Sequence, residues 1–275
     1  EEVRKATTLT LDVAANAIEG GREKVGGLRA SVRYANSRLR VSVSELAYLG
    51  GNIDGDADAS FARSPPTLKL NAAARRLSLE RLFRRLDTAP VASGPLDLDV
   101  AVTANGADPH ALLASMSGKI SGSIWGGSLA DRTINLAGQR TIEWLFTPTA
   151  DGSAPLVCFV TRFEFDDGIG SARQLVLETD KVQAVGTGTL NLREESMDFV
   201  FTPRAKRNDL VGKVGPIRVS GPLSNPDIDV ADGARAAKVV TETISLPLRL
   251  LHPLVDGDGK PSPAHKPCVL VPGSE

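Results

Sequence analysis

Apolar and polar side chains alternate along most of the chain with a period of two residues. The clearest example is residues 28–43, where two alternating runs are separated by Ala35, Asn36 and Ser37. Alternation places one set of side chains on each face of a β-strand, and a short turn-forming break between two such runs predicts a hairpin. The pattern recurs to about residue 219 and indicates about a dozen strands. The short connections between them favour antiparallel pairing.

Helical signals are few. Ser78 is a candidate N-cap for a helix over residues 79–86, where leucine and phenylalanine recur at helical spacing. Asp108 and Pro109 have the character of a cap and a first helical residue, and predict a short second helix. A third helix is predicted over 231–252, and the proline-rich residues 253–275 are predicted to form an extended tail.

Helices this few and this short are insufficient to cover the apolar faces of so many strands. The prediction is therefore a mainly β fold, a large curled antiparallel sheet like a taco or half-barrel, flanked or plugged by short helices. The pattern is equally compatible with a closed barrel or a sandwich, in which the same face is an ordinary core. The apolar positions predicted to line a groove, each of which an ordinary core role explains as well, are Leu28, Val32, Val41, Val43, Leu68, Leu70, Leu96, Leu98 and Val100.

Composition narrows the kind of ligand. Hydrophobic residues make up 41% of the chain and aromatic residues only 4%, so the apolar surface is mostly aliphatic. Aliphatic side chains make smooth, unspecific surfaces that suit acyl chains better than flat rings. The net charge is -1, with basic and acidic residues interleaved. This argues against a nucleic-acid partner, because such partners usually demand a concentrated basic field.

The residue patterns of catalytic and metal sites are missing from the sequence. The three histidines have no cysteine, histidine or carboxylate at metal-ligand spacing. Asp54, Asp56 and Asp58 resemble a calcium loop but lack its glycine and its later glutamate, and their spacing predicts the wet face of a strand. No run approaches the 18 or so apolar residues of a membrane helix. We therefore expect no catalytic residue, metal or cofactor.

The order of motifs along the chain resembles the C-terminal domain of the AsmA family. Gly94–Val100 is followed by a short helical segment and by the glycine-rich run 117–127. Later segments with the same resemblance are Pro155–Cys158, Phe163–Gly168, Val185–Leu192, Met197–Pro203 and Pro216–Pro226. The resemblance is close over 94–230 and looser over 7–93. It implies an N-terminal β segment (1–93) that continues a longer groove, and an AsmA-like C-terminal β domain (94–230).

The resemblance also implies a location and a role. AsmA-like proteins are periplasmic proteins anchored to the inner membrane, and larger relatives of the TamB and YhdP type resemble bridge-like lipid transfer proteins. The expected partners are therefore phospholipid or another membrane lipid, the inner membrane through an anchor upstream of residue 1, and an outer-membrane or periplasmic protein. No nucleic acid is expected.

The expected periplasmic location predicts the chemical state of the two cysteines, Cys158 and Cys268. Because the family resemblance places the protein in the oxidising periplasm, we expect them to form a disulfide. The bond would pin the proline-rich tail onto the sheet, where the tail is expected to close one end of the groove.

Two functions are compatible with these expectations. The first is a lipid-handling module that contributes to lipid transport between the inner and outer membranes and to outer-membrane integrity. The alternative is a structural or regulatory adaptor in outer-membrane protein assembly, which recruits partners through exposed strand edges.

Overall fold

Fifteen strands of the described part of the chain form one antiparallel sheet. The computed structural model describes residues 8–18, 25–90, 92–130, 153–206, 216–230 and 268. The strands are β1 (Leu9–Ala15), β2 (Leu28–Ala35), β3 (Arg38–Tyr48), β4 (Gly51–Ser60), β5 (Thr67–Ser78), β6 (Ala92–Ser93), β7 (Pro95–Asn105), β8 (Ser117–Trp125), β9 (Ser128–Ala130), β10 (Ser153–Asp166), β11 (Ile169–Thr179), β12 (Val182–Asn191), β13 (Ser196–Ala205), β14 (Ile217–Pro222) and β15 (Asp227–Val230). The two helices within these ranges are α1 (Leu79–Arg85) and α2 (Pro109–Ala114).

The strands follow one another across the sheet almost in chain order. The order is β1-β2-β3-β4-β5-β7-β8-β10-β11-β12-β13-β14-β15, while the short β6 and β9 pair with each other and β9 also pairs with β10. Within the described ranges β1 pairs only with β2, and β15 only with β14, so the sheet does not close on itself. The mainly β prediction is confirmed. The described strands form neither a closed barrel nor a two-sheet sandwich.

The predicted first hairpin is formed by β2 and β3. Its turn residues Asn36 and Ser37 both have positive φ, 51° and 58°. Two positive φ values in a two-residue turn match the twist of the flanking strands. The turn fixes the register, which pairs Val32 with Val41.

Both predicted helix starts are confirmed. The Ser78 hydroxyl accepts a hydrogen bond from the backbone N–H of Arg81, and the Asp108 carboxylate accepts one from Ala111. Helix α1 follows β5 and α2 follows β7, which pairs antiparallel with β5. The two helices therefore lie at opposite ends of the strands.

The predicted boundary between residues 93 and 94 does not interrupt the sheet. Strand β5, which precedes this boundary, pairs directly with β7, which follows it. The predicted helix over 231–252 and the tail over 253–275 lie outside the described residues, except for Cys268. Neither of the described helices has the length and apolar character needed to cross a membrane.

Candidate functional site

All nine predicted lining residues lie on one face of the sheet. Strand β7 shows this most simply, because alternate residues of one strand share a face and directly paired residues point to the same side. Along β7, Leu96 pairs with Leu77, Leu98 with Ala74, and Val100 with Ala72. The pairing continues across β4, β3 and β2 to the remaining members of the set. We call this the apolar face, and the other side the opposite face.

The two helices cover part of the apolar face. Leu96 and Leu98 pack against a buried cluster at one end of the strands, which Leu82 of α1 also contacts. Leu70 and Val100 pack against a buried cluster at the other end, which Leu112 of α2 also contacts. These four predicted lining residues therefore contribute to ordinary core.

The apolar face of β1–β3 is more open. Leu28, Val32, Val41 and Val43 are half-buried there. Their neighbours on the same face are more exposed: Leu9 by 62%, Leu11 by 55% and Tyr34 by 39%. We call the apolar-face residues of β1–β3 the open strip. Exposed apolar side chains on adjacent strands form a contiguous apolar surface, which marks a binding site more often than a scattered single residue does.

On β10–β13 the apolar face is filled by phenylalanine rings. The ring centroids of Phe163 and Phe199 are 5.8 Å apart with an edge-to-face geometry, although two strands separate β10 from β13. Glycines make this approach possible. A Cβ at Gly188 would lie 2.8 Å from the Phe199 ring, and one at Gly170 would lie 2.5 Å from the ring of Phe165. The rings lie over the backbone of neighbouring strands and close this part of the face.

The opposite face of β2–β8 is charged. Asp58 binds Arg38 and Arg40 through Nε–Oδ distances of 2.7 and 2.9 Å. Desolvation works to raise the pKa of Asp58, but the two arginines outweigh it, so the net pKa is lowered. Asp56 accepts a hydrogen bond from Ser42. Asp56 and Asp58 thus belong to cross-strand polar pairs on the predicted wet face.

The predicted disulfide between Cys158 and Cys268 is present, and a buried carboxylate accompanies it. The side chain of Glu178 is 0% exposed, and its Oε2 accepts the backbone N–H of Cys268 at 2.8 Å. Lys206 Nζ lies 2.6 Å from the other oxygen, and Gln183 donates a further bond at 3.1 Å. A buried carboxylate requires such partners, because an unpaired buried charge is costly.

The disulfide fixes the face on which the tail attaches, while the expected closure of one end of the groove falls on residues outside the described part of the chain. Phe159 pairs with Ile124 on the apolar face, so the adjacent Cys158 points to the opposite face. Cys268 therefore attaches to the sheet on the side away from the open strip. It packs there with Val176, which is fully buried.

Within the described ranges, one group of side chains has a geometry that could hold a metal ion: Cys158, Glu178 and Cys268. Both sulfur atoms are joined in the disulfide, so neither is a thiolate that could bind the ion.

Sequence reasoning missed two features of this region. Leu9 and Leu11, the most exposed members of the open strip, carried a readable alternation signal. Glu178 carried none, since it stands in the polar run Glu-Thr-Asp and is buried by contacts with Lys206 and with a cysteine 90 residues away.

Comparison with known proteins agrees with the motif order. The AsmA family model matches residues 25–175, more than half of the chain. Over 215 residues the chain is 20% identical to the AsmA family protein YhjG of Escherichia coli (strain K12). The aligned region covers 78% of this chain and 31% of that relative. The chain thus spans about a third of the relative's length, and no solved structure matches it. The family match begins at residue 25, before the region of close motif resemblance (94–230), and ends at residue 175, inside it. The chain belongs to the AsmA family.

Proposed function

We propose that this chain is a non-enzymatic lipid-handling module, and that its open strip binds the acyl chains of phospholipid or another membrane lipid. Membership of the AsmA family suggests a role in lipid and membrane assembly. The finer role, lipid transport between the inner and outer membranes, is our proposal.

The observation that carries the proposal is the exposure of the open strip. Leu9, Leu11 and Tyr34 extend an apolar surface onto which the half-buried Val32 and Val41 also open. Each methylene group buried on such a surface contributes about 0.8 kcal/mol. The contact is non-directional, so the strip is suited to acyl chains of varied length and to sliding along the sheet.

The proposed location is the periplasm, with anchoring to the inner membrane in the full-length protein. The disulfide between Cys158 and Cys268 supports an oxidising compartment, because such bonds are rare where thiols are kept reduced. Outer-membrane integrity would depend on the module through the lipid it handles.

An adaptor function in outer-membrane protein assembly is the second candidate. It is favoured by the two edge strands, β1 and β15, each of which has one neighbour in the described sheet. Edge strands offer unpaired backbone groups to which another β protein can add a strand. A purified protein that carries no lipid but captures a β-rich partner would support this alternative.

Replacing Val41 with aspartate is expected to weaken acyl-chain binding by about tenfold or more while the sheet stays folded. Burying a valine-sized side chain contributes about 1.5 kcal/mol or more, and each 1.4 kcal/mol is a factor of ten in affinity. Binding is measured with a fluorescent fatty acid, and folding by circular dichroism. Leu98→Asp, within the helix-covered cluster, is expected instead to destabilise the fold by roughly 2–4 kcal/mol.

Thr10→Asp is the matched control, because it places the same charge on the opposite face, across from Arg33. It should leave both affinity and folding unchanged. Unfolding of the Val41→Asp variant, or equal affinity in the Val41 and Thr10 variants, would show that the open strip is not the acyl-chain site.

A further inference from the structure

At one end of the open strip, the β2–β3 hairpin carries an unusual concentration of positive charge. A cavity of about 500 Å³ on this hairpin is lined by Arg33, Arg38 and Arg40, together with Asn36 and Ser60. Across residues 33–40 and 58–69 the chain has five basic side chains and a single acidic one, Asp58; the basic residues are Arg33, Arg38, Arg40, Arg63 and Lys69.

Asp58 neutralises only part of this charge. It holds Arg38 and Arg40 through their Nε atoms, so the Nη groups of both guanidiniums stay available as donors in the described structure. Arg33 faces Arg40 across the strand pair and makes no ion pair with any described residue. Planar guanidinium groups held in this way are suited to bind phosphate oxygens with two hydrogen bonds.

Exposed aromatic side chains lie at the same end. Phe61 is 50% exposed, and its backbone N–H donates to the carbonyl of Ser37 in the hairpin turn at 2.8 Å. Tyr34, beside Arg33 in sequence, is 39% exposed. Aromatic rings beside cations are typical of protein surfaces that rest at the interface between membrane and water.

We propose that this end of the sheet, the hairpin tip formed by Arg33, Tyr34, Arg38, Arg40 and Phe61, docks on a membrane surface rich in anionic phospholipid. The arginines bind the lipid phosphates, and Phe61 inserts among the headgroups. Docking here brings the end of the open strip, at Leu9 and Tyr34, next to the lipid it receives or delivers. This inference rests on the proposed lipid-handling function and gives that function a membrane-facing end.

The test is flotation of the purified chain with vesicles of phosphatidylcholine that contain or lack phosphatidylglycerol. The unmodified chain should bind the anionic vesicles, and binding should weaken as salt is raised. Arg33→Ala should reduce this affinity about fivefold, since one basic side chain near an anionic surface contributes on the order of 1 kcal/mol. Phe61→Ala should reduce it as well, and its effect should persist at high salt.

Arg162→Ala is the matched control, because Arg162 is an exposed arginine on the opposite face of β10, which four strands separate from β3 of the hairpin. It should bind the anionic vesicles like the unmodified chain. Equal losses in the Arg33 and Arg162 variants, or no binding of the unmodified chain, would overturn the proposal. Release by inorganic phosphate, but not by chloride of equal ionic strength, would also overturn it and indicate a free-phosphate site.

The fatty-acid assay separates this inference from the proposed function. Arg33→Ala should bind the fluorescent fatty acid normally. Vesicle docking without fatty-acid binding would refute the lipid-handling function and leave the docking surface in place. Fatty-acid binding without vesicle docking would refute the docking surface and leave the lipid-handling function in place.

Discussion

Replacing Glu178 with leucine is expected to lower the free energy of unfolding by about 3 kcal/mol or more. The substitution leaves Lys206, whose side chain is 17% exposed, without its 2.6 Å partner. It also leaves the backbone N–H of Cys268 and the amide of Gln183 without their shared acceptor. Losing one member of a buried ion pair costs more than the pair contributed, since the remaining charge stays desolvated. Urea unfolding followed by circular dichroism measures the change.

The exposed ion pair of Glu164 with Arg173 provides the control. Glu164→Leu removes a contact of 2.8 Å between side chains that are 37% and 61% exposed. Solvent screens such pairs, so the unfolding midpoint should hardly move. A similar small shift for both glutamate variants would mean that Glu178 is not a structural anchor.

Replacing Cys268 with serine is expected to lower the free energy of unfolding by about 2–4 kcal/mol. The bond closes a separation of 110 residues, and in the chain-entropy treatment a loop of about 100 residues contributes up to roughly 4.7 kcal/mol. Reduction of the unmodified protein should produce the same loss, and Cys158→Ser should match Cys268→Ser. Unfolding in oxidising and reducing buffer measures both effects.

The two substitutions should also be coupled. Without the disulfide, the backbone N–H of Cys268 is no longer held against Glu178, so Glu178→Leu should cost less in the Cys268→Ser background. A difference of at least about 0.5 kcal/mol is expected for groups in direct contact. Strict additivity would show that the covalent bond and the buried carboxylate hold the segment independently.

Much of the sheet could be predicted from the sequence because its signals are local. Side-chain alternation assigned Val32, Val41 and Val100 to one face, and the turn residues after β2 fixed the first register. The caps Ser78 and Asp108 placed the helix starts correctly. Each of these features depends on the conformation of a few neighbouring residues.

What could not be predicted depends on contacts between distant elements. Alternation predicts that Leu98 and Val41 both lie on the apolar face and does not distinguish their burial. In the structure Leu98 packs in a cluster under α1, whereas Val41 belongs to the open strip. The side of the sheet on which Cys268 attaches follows from the orientation of Cys158 on β10. A shift of the pairing register by one residue would turn Cys158 to the other face of the sheet. The amino-acid composition gives no indication of which register forms.

Photo-crosslinking from the open strip in living bacteria tests directly whether this surface binds acyl chains. A benzophenone amino acid is incorporated at Val41, and in parallel at Thr10 on the opposite face, and the protein is irradiated, purified and analysed by mass spectrometry. If the open strip binds acyl chains, phospholipid should be attached covalently to the protein labelled at Val41 and not to the one labelled at Thr10. Absence of lipid at Val41, or equal labelling from both faces, would show that the open strip does not bind acyl chains.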